Sequence, residues 1–281
     1  MSERKFAVIG HPIGHTMSPF IHKRLFELSG EKGTYTILDV APEEFPEKIS
    51  ALNELAGYNV TIPDKQAVIP FLDELDKKAE LYGSVNTVRN GTVRKGFTTD
   101  PDGFLKALAA NNIPFAGDIC ILGCGGVART FIYEAALAGC NITISVRPED
   151  VEIRDSLVKE VKEKLGISDI HTNLISDIEK EGRFDLLVNA TPVGMYPNTN
   201  AMPVSERTIE RCNNVFDAIY NPLETKLIQT AKANNIRAVG GMAMLVWQAV
   251  VSHEIWDGSE YKTDDINQLI EDTSNELKKN F

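Results

Sequence analysis

A lysine lies four residues after a threonine, across a proline, in the run YNVTIPDKQ at residues 58–66. The strand-like start of this run would present the Thr61 hydroxyl at its end, and the turn at Pro63 would return the Lys65 amine to the same place. An ammonium beside a developing alkoxide supplies a proton and a positive charge, and a carboxylate such as Asp100 would orient the lysine. The run therefore indicates acid–base chemistry by Lys65 and Asp100, with a solvated lysine after a strand as the alternative.

A glycine-rich run, ILGCGGVA, stands at the junction of a predicted strand and a predicted helix. Gly123, Gly125 and Gly126 permit a tight turn there and a close approach of backbone N–H groups to a pyrophosphate. Ala128 follows where the helix needs a small residue. Tight strand-to-helix turns also occur without a ligand, but the order of strand, glycines, helix and second strand predicts a dinucleotide site.

The strand that follows this helix ends in NITISVRPED, near the expected position of the adenosine ribose. An NAD site usually carries an acidic residue there, whereas the first charged residue here is Arg147, which can pair with a 2′-phosphate. This predicts NADP(H) rather than NAD(H) as the cofactor. Glu149 and Asp150 weaken the positive field, so an exposed arginine in a solvated loop stays the alternative.

The N-terminal region alternates strand-like and helix-like runs, which predicts layered α/β structure. Its first helix is predicted to have Ser18 as the N-cap and Pro19 at its first position, and to stop at Gly30. Two later strands are joined at Asn90-Gly91, a dipeptide that readily takes the positive φ of a type I′ turn. The sequence therefore predicts a hairpin that returns the chain to Asp100.

A second series of strands and helices begins at Asp118. Its apolar strands alternate with amphipathic helices, which predicts a parallel, doubly wound sheet. Its later strand candidates are residues 184–191, 214–220 and 236–240. The restart of this pattern near residues 100–105 and its end near residue 244 predict an α/β domain at residues 1–103, a Rossmann-like nucleotide-binding domain at residues 104–244 and C-terminal helices at 245–281.

The chain has 281 residues, of which 43% are hydrophobic and 25% charged, and a formal net charge of −11. This composition is typical of a globular protein, and the negative charge argues against a nucleic-acid or anionic-membrane surface. No window reaches the ~18 apolar residues of a spanning helix. We therefore expect a cytoplasmic protein whose partners are small molecules, with no nucleic acid and no membrane, and we leave a homodimer open.

The sequence offers no support for metal or disulfide chemistry. Its cysteines are Cys120, Cys124, Cys140 and Cys212, and its histidines are His11, His15, His22, His171 and His253. The cysteines lack the paired spacing of a zinc site and are too few for a disulfide framework, so we expect reduced thiols. The histidines form no ligand-spaced set with carboxylates, so we expect no metal.

Eight short runs, spread from about Phe6 to Gln248, stand in the order that one known family shows. They are HPIGHTMSPFIH, NVTIPDK, GSVNT, TTD, GCGGVA, VNATPVGM, DAIYNP and MLVWQA. In these runs the sequence resembles the shikimate/quinate dehydrogenase family, in which shikimate dehydrogenase reduces 3-dehydroshikimate to shikimate with NADPH on the route to chorismate and aromatic amino acids. The resemblance implies a two-domain oxidoreductase in which residues 1–103 form the substrate-binding domain, the terminal helices at 245–281 return to it, and residues 104–244 form the NADP-binding domain.

The resemblance also implies roles for individual residues. Those assigned to the substrate carboxylate are Thr16 and Ser18, with Tyr220 closing that end, and those assigned to its ring hydroxyls are Thr61, Asn86, Asp100 and Gln248. Lys65 would be the acid–base residue. Those assigned to the cofactor are Gly123, Cys124, Gly125, Gly126, Val127 and Arg147, with the backbone near Ala218 and Gly241 on its nicotinamide side.

Four departures from the family pattern leave the substrate range and the cofactor choice open. Thr16 stands for a common serine, Thr98 for an asparagine, SVRP for the NRT pattern, and Ala243 for a glycine. None of them touches Lys65 or Asp100. The alternatives are an NAD-dependent quinate/shikimate dehydrogenase and a non-catalytic protein that senses a nucleotide.

Overall fold

The computed structural model describes residues 3–14, 16–167 and 169–280. His15, one of the five histidines above, lies outside these ranges. The chain divides into two compact units, the first made of Met1–Gly103 and Val246–Phe281 and the second of Phe104–Leu245. Within the described ranges, none of the helices combines the length and the apolar character needed to cross a membrane.

The chain forms ten α-helices and twelve strands over its described residues. In the N-terminal part they are β1 (Arg4–Gly10), α1 (Ser18–Ser29), β2 (Gly33–Asp39), α2 (Phe45–Leu52), β3 (Gly57–Val60), β4 (Glu74–Leu75), α3 (Lys77–Tyr82), β5 (Thr87–Arg89), β6 (Lys95–Phe97) and α4 (Asp100–Ala110). Those that follow are β7 (Asp118–Leu122), α5 (Gly126–Leu137), β8 (Asn141–Val146), α6 (Val151–Leu165), β9 (His171–Leu174), β10 (Leu186–Asn189), α7 (Glu206–Ile209), β11 (Asn214–Asp217), α8 (Lys226–Ala233), β12 (Arg237–Gly240), α9 (Gly241–Asp257) and α10 (Thr263–Asn280).

The first unit contains a mixed sheet in the order β2-β1-β3-β5-β6-β4. Strand β1 lies parallel between β2 and β3, whereas β5 is antiparallel to both β3 and β6. The carboxyl ends of β1 and β3 therefore meet at one edge, where the Thr61 backbone N–H donates to the Ile9 carbonyl at 2.8 Å. The segments that leave these two strands thus start side by side.

The second unit contains an entirely parallel sheet in the order β12-β11-β10-β7-β8-β9. The strand order reverses at β7, so the predicted doubly wound α/β class is confirmed. Strand β10 covers only part of the predicted run 184–191, because the Asn189 side chain accepts from the Thr191 N–H at 3.0 Å and turns the chain. Strand β4 has only two residues and β9 is the largely polar run HTNL, so the sequence predicts neither strand.

The first helix begins one residue earlier than predicted. Met17 is the residue before α1, and Ser18 is already helical, so the assignment of Ser18 as the N-cap is wrong. The Thr16 hydroxyl accepts from the Ser18 N–H at 3.2 Å and takes over the local capping role. Pro19 lies in the first turn, at the second helical position and not at the predicted first, and Gly30 closes the helix at φ +74°, as predicted.

The hairpin between β5 and β6 forms, but its turn differs from the prediction. Neither Asn90 nor Gly91 has a positive φ, so the type I′ turn is wrong. The Asn90 side chain instead donates to the carbonyls of Leu52 and Leu55 at 2.8 and 2.9 Å. These two bonds outweigh the local preference of the dipeptide, and a five-residue connection results.

Four aromatic side chains of the first unit form a packed group that we call the histidine layer: His22, Tyr35, His253 and Trp256. His22 stacks on Tyr35 with ring centroids 4.0 Å apart, and its Nδ1 lies 3.1 Å from Nε2 of His253. Both imidazoles are buried, and burial lowers the pKa of His22 well below its usual value and that of His253 to about 4. The two histidines of the layer are therefore both neutral at physiological pH.

This layer predicts a loss of stability in acid. The unfolded chain protonates His253 near pH 6.5, whereas the folded chain does so near pH 4, so stability present above pH 6.5 is lost as the pH falls through this window. At pH 5, protonation of His253 in the unfolded chain lowers the unfolding free energy by about 2 kcal/mol. Between pH 7.5 and pH 5, the unfolding free energy of His253→Gln should fall by about 2 kcal/mol less than that of the parent protein.

The measurement is urea unfolding followed by tryptophan fluorescence, because Trp247 and Trp256 both belong to the first unit. Comparing changes between the two pH values cancels other titrating groups, including the carboxylates. The exposed His171→Gln serves as the control and should keep the parent's pH dependence. Equal pH dependence in His253→Gln and the parent would contradict the expected protonation.

Candidate active site

Lys65 and Asp100 form a close ion pair in the first unit, with Nζ 2.5 Å from Oδ2. Lys65 follows β3, and its carbonyl accepts from the Val85 N–H at 2.8 Å, which fixes the backbone beneath the amine. Asp100 is the first residue of α4, where a helix N-terminus favours negative charge. The Lys65 side chain is 27% exposed. Its amine is therefore held by the carboxylate and still accessible from solvent.

The Asn86 side chain is the central hydrogen-bonding group of this site. Its amide nitrogen donates to Oδ1 of Asp100 at 3.0 Å and to Oε1 of Gln248 at 3.3 Å. Its carbonyl oxygen accepts from the Thr99 backbone N–H at 2.8 Å, which fixes the orientation of the amide. Asn86 therefore engages one carboxylate oxygen of Asp100 while Lys65 engages the other.

Thr16 and Ser18 lie together at the start of α1, with the Thr16 hydroxyl donating to the Ser18 hydroxyl at 3.0 Å. Thr61 follows β3, and its methyl group packs against the backbone of Gly10. A Cβ at Gly10 would lie 2.5 Å from that methyl, so the close approach of the two segments requires glycine there. The first unit thus holds two hydroxyl groups at one helix start and a third at the end of β3.

Three buried residues of the site carried no assignment from the sequence: Thr87, Thr99 and Ser252. The Thr99 hydroxyl bonds both ends of the Asn86 amide, at 3.0 and 3.2 Å, and the Thr87 hydroxyl lies 3.0 Å from that of Ser252. Two signals were available. Thr87 and Thr99 stand inside the runs SVNT and TTD, and Ser252 lies one helical turn after Gln248.

The second unit contains a cavity of about 550 Å³ beside the glycine-rich loop. Gly123 has a φ of +99°, and a Cβ there would lie 3.2 Å from the Ala190 carbonyl, so a side chain would crowd the floor of the loop. Cys124 and Gly125 line the cavity, and α5 begins at Gly126 and continues through Val127. A glycine-rich loop with backbone N–H groups at the start of a helix fits a pyrophosphate. We call this loop the glycine cradle.

Arg147 lies at the rim of this cavity, 61% exposed along its side chain. Its guanidinium is already paired, with Nε 2.8 Å from Asp150 and Nη1 3.3 Å from Glu149. These carboxylates raise the pKa of Arg147 further, so it stays charged. A phosphate at this position would have to compete with two neighbouring carboxylates for the same donors.

Ala218 and Gly241 touch at the carboxyl ends of β11 and β12. A Cβ at Gly241 would lie 2.1 Å from the Ala218 carbonyl, so only glycine fits. The neighbouring Asp217 is buried, accepts from Thr225 at 2.6 Å and from Asn189 at 2.9 Å, and has its pKa raised by burial to about 6. Tyr220 follows on the same segment and is partly exposed.

In the described part of the chain, no group of three or more His, Cys, Asp or Glu side chains is arranged to hold a metal ion. The four cysteines are free thiols, and burial raises the pKa of Cys120 and Cys212 to about 12. These two thiols are therefore poor nucleophiles. The ionisable chemistry of the first unit's site lies in its lysine and its carboxylate.

Comparison with known proteins identifies a matching family model and similar proteins that cover nearly all of this chain. Residues 8–88 match the sequence model of the shikimate dehydrogenase substrate-binding domain. A shikimate dehydrogenase (NADP⁺) of Methanopyrus kandleri is 40% identical over 262 residues, which cover 90% of each chain. A crystal structure of a shikimate dehydrogenase with NADP⁺ superposes with a TM-score of 0.88, at 35% identity over 96% of this chain and 95% of that one. The Thermus thermophilus enzyme, solved with NADP(H) and shikimate, gives 0.83 at 29% identity, over 96% and 99%.

The fold and the two sites define an α/β oxidoreductase that joins a lysine–aspartate site to a dinucleotide-binding unit. The chain belongs to the shikimate dehydrogenase family, because relatives at this identity cover nearly all of it. The resemblance noted in the sequence is thereby confirmed.

The Asn86 hydrogen bonds predict the effect of one conservative change. Thr99→Val keeps the shape of the side chain and the backbone bond to Asn86, but removes a hydroxyl that bonds both ends of the buried amide. We expect the unfolding free energy of the first unit to fall by about 1–3 kcal/mol, the cost of leaving buried polar groups unpaired. Urea unfolding followed by tryptophan fluorescence measures it. Thr34→Val, on exposed β2, is the control, and an equal effect in both variants would contradict the assignment.

Proposed function

We propose that the protein catalyses the reversible, NADPH-dependent reduction of 3-dehydroshikimate to shikimate, a step towards chorismate and the aromatic amino acids. The observation that carries the proposal is the Lys65–Asp100 pair at 2.5 Å, in a chain 40% identical to a shikimate dehydrogenase (NADP⁺). NADP(H) is the cofactor for which these relatives are named, and the glycine cradle of the second unit fits its pyrophosphate.

In the direction of reduction, NADPH would supply a hydride, when bound, to the carbonyl carbon of the substrate. The carbonyl oxygen then gains a full pair of electrons and takes a proton from the Lys65 ammonium, whose positive charge also stabilises the developing alkoxide. Asp100 holds the amine in place through its contact with Nζ. In the oxidation, the Lys65 amine accepts the proton of the shikimate hydroxyl. The hydride of the same carbon would pass to NADP⁺.

Binding roles follow the chemistry of the groups. Thr16 and Ser18 would donate to the substrate carboxylate from the start of α1, and Tyr220 would close that end. The ring hydroxyls of the substrate would bind to four other side chains: Thr61, Asn86, Asp100 and Gln248. The polar network around Asn86 supports this assignment, because it offers both donors and acceptors at fixed positions.

Cofactor contacts would come from the glycine loop and from the ends of three strands. Gly123, Cys124, Gly125, Gly126 and Val127 would cradle the pyrophosphate, and Arg147 would pair with the 2′-phosphate. The backbone near Ala218 and Gly241 would lie on the nicotinamide side. A small-molecule substrate and a cytoplasmic location complete the proposal. The location stays a prediction, and a homodimer stays open.

Replacing the proposed acid–base residue should separate turnover from binding. We expect Lys65→Ala to lower kcat for shikimate oxidation by about 10²–10⁴-fold, because the proton acceptor is lost, while the Kd for shikimate changes little. Lys78→Ala is the matched control, since Lys78 also pairs with an aspartate of α4, at 2.7 Å from Asp102. The measurement is the initial rate at 340 nm together with shikimate binding. Unchanged turnover in Lys65→Ala would refute the role.

The paired state of Arg147 predicts opposite effects of two changes on cofactor use. Arg147→Gln should raise KM for NADP⁺ about tenfold or more and leave KM for NAD⁺ nearly unchanged, because only NADP⁺ carries the 2′-phosphate. Asp150→Asn should lower KM for NADP⁺, because it releases the guanidinium. Lys159→Gln, which removes one positive charge from exposed α6, is the control. Equal effects of Arg147→Gln on both cofactors would count against a phosphate contact.

An NAD-dependent quinate/shikimate dehydrogenase is the second candidate, favoured by the two carboxylates that engage Arg147. Oxidation rates of shikimate and quinate, each with NADP⁺ and NAD⁺, separate the two functions. A preference for shikimate with NADP⁺ supports the proposal, and a preference for quinate or NAD⁺ supports the alternative. Tight NADPH binding without turnover of either substrate would point to a sensor instead, although the Lys65–Asp100 pair argues against it.

A further inference from the structure

We propose that Tyr35 is a positioning residue whose hydroxyl orients Asn59 and, through it, the ring-hydroxyl-binding side chains around Asn86. The inference rests on the proposed function, because that function assigns Asn86 and Gln248 to the ring hydroxyls of the substrate. Tyr35 lies on β2, outside every run that carries the family resemblance.

A hydrogen bond from the Tyr35 hydroxyl leads towards the site. The hydroxyl donates to the side-chain carbonyl of Asn59 at 2.7 Å. Because a phenol has a single hydrogen, the donor of Tyr35 is committed to Asn59.

Asn59 links Tyr35 to two other segments, residues 86–87 and Ser252. Its amide nitrogen lies 3.0 Å from the hydroxyls of both Thr87 and Ser252 and 3.2 Å from the Asn86 backbone carbonyl. Thr87 donates onward to the Asn86 side chain at 3.2 Å. Since Tyr35 bonds the Asn59 side-chain carbonyl, it determines which way the Asn59 amide points. Tyr35 therefore reaches the Asn86 backbone through Asn59, and the Asn86 side chain through Asn59 and Thr87.

The ring of Tyr35 is fixed by packing and not only by its hydroxyl. It stacks on His22 at 4.0 Å with an interplanar angle of 6°, and lies 6.4 Å from the Trp256 ring. Burial raises the pKa of the phenol well above its usual value, so the group stays a donor throughout the working pH range. A phenylalanine would keep the stack and lose only the hydrogen bonds.

The test is steady-state kinetics of Tyr35→Phe with shikimate and NADP⁺. We expect KM for shikimate to rise about tenfold, kcat to stay within about threefold and KM for NADP⁺ to stay unchanged, because the change loosens binding groups and leaves Lys65 in place. The matched control is Tyr58→Phe on β3. Tyr58 is also buried, and its hydroxyl has no hydrogen-bond partner within the described chain, so this variant should behave as the parent does.

A double-mutant cycle tests whether the effect passes through Asn59. In an Asn59→Leu background, Tyr35→Phe should no longer change KM, because the acceptor of its hydrogen bond is gone. An undiminished tenfold effect in that background would overturn the proposed route, and an unchanged KM in Tyr35→Phe alone would overturn the positioning role. Either result leaves the proposed function standing if the parent oxidises shikimate. A parent inactive towards shikimate would overturn the proposed function and this inference together.

Discussion

The hydrogen bond from the Asn86 amide to the Asp100 carboxylate is the contact on which the site of the first unit depends. It engages one oxygen of Asp100 and leaves the other for Lys65. A buried amide is costly unless its donors and acceptors are paired, and Thr99 and Gln248 complete the pairing. The site therefore exists only when several distant segments of the chain have met, and the energy of the buried polar network enforces that meeting.

The candidate site of the second unit depends on glycines, whereas that of the first unit depends on polar side chains. Gly123 and Gly241 each lie where a Cβ would press on a neighbouring carbonyl, of Ala190 and of Ala218 respectively. Both positions are at the carboxyl ends of parallel strands, where open α/β sheets bind their ligands. The unit thus exposes backbone at the end of the sheet where the proposed cofactor would bind, and the proposed 2′-phosphate contact would come from the exposed Arg147 beside its two acidic neighbours.

The sequence predicted the fold class and the Lys65–Asp100 pair because both leave local signals, namely alternating strands and helices and a lysine after a strand. It failed where a tertiary contact outweighs a local preference. Asn90-Gly91 favours a type I′ turn in isolation, but two carbonyls of the α2 region capture the Asn90 side chain. Tyr35 gave no functional signal, because a strand tyrosine has many roles and only the folded sheet reveals its bond to Asn59.

The first unit is assembled from both ends of the chain, and this fixes when it can be completed during synthesis. Phe6 and Phe26 pack on Trp256, and Gly57 leaves room for the indole, so this core cluster lacks its largest member until α9 has left the ribosome. The second unit, Phe104–Leu245, is continuous and lies wholly before that point. Domains made on the ribosome usually fold from the N-terminus onward. The packing of Phe6 and Phe26 on Trp256 must instead wait until the whole second unit has been synthesised.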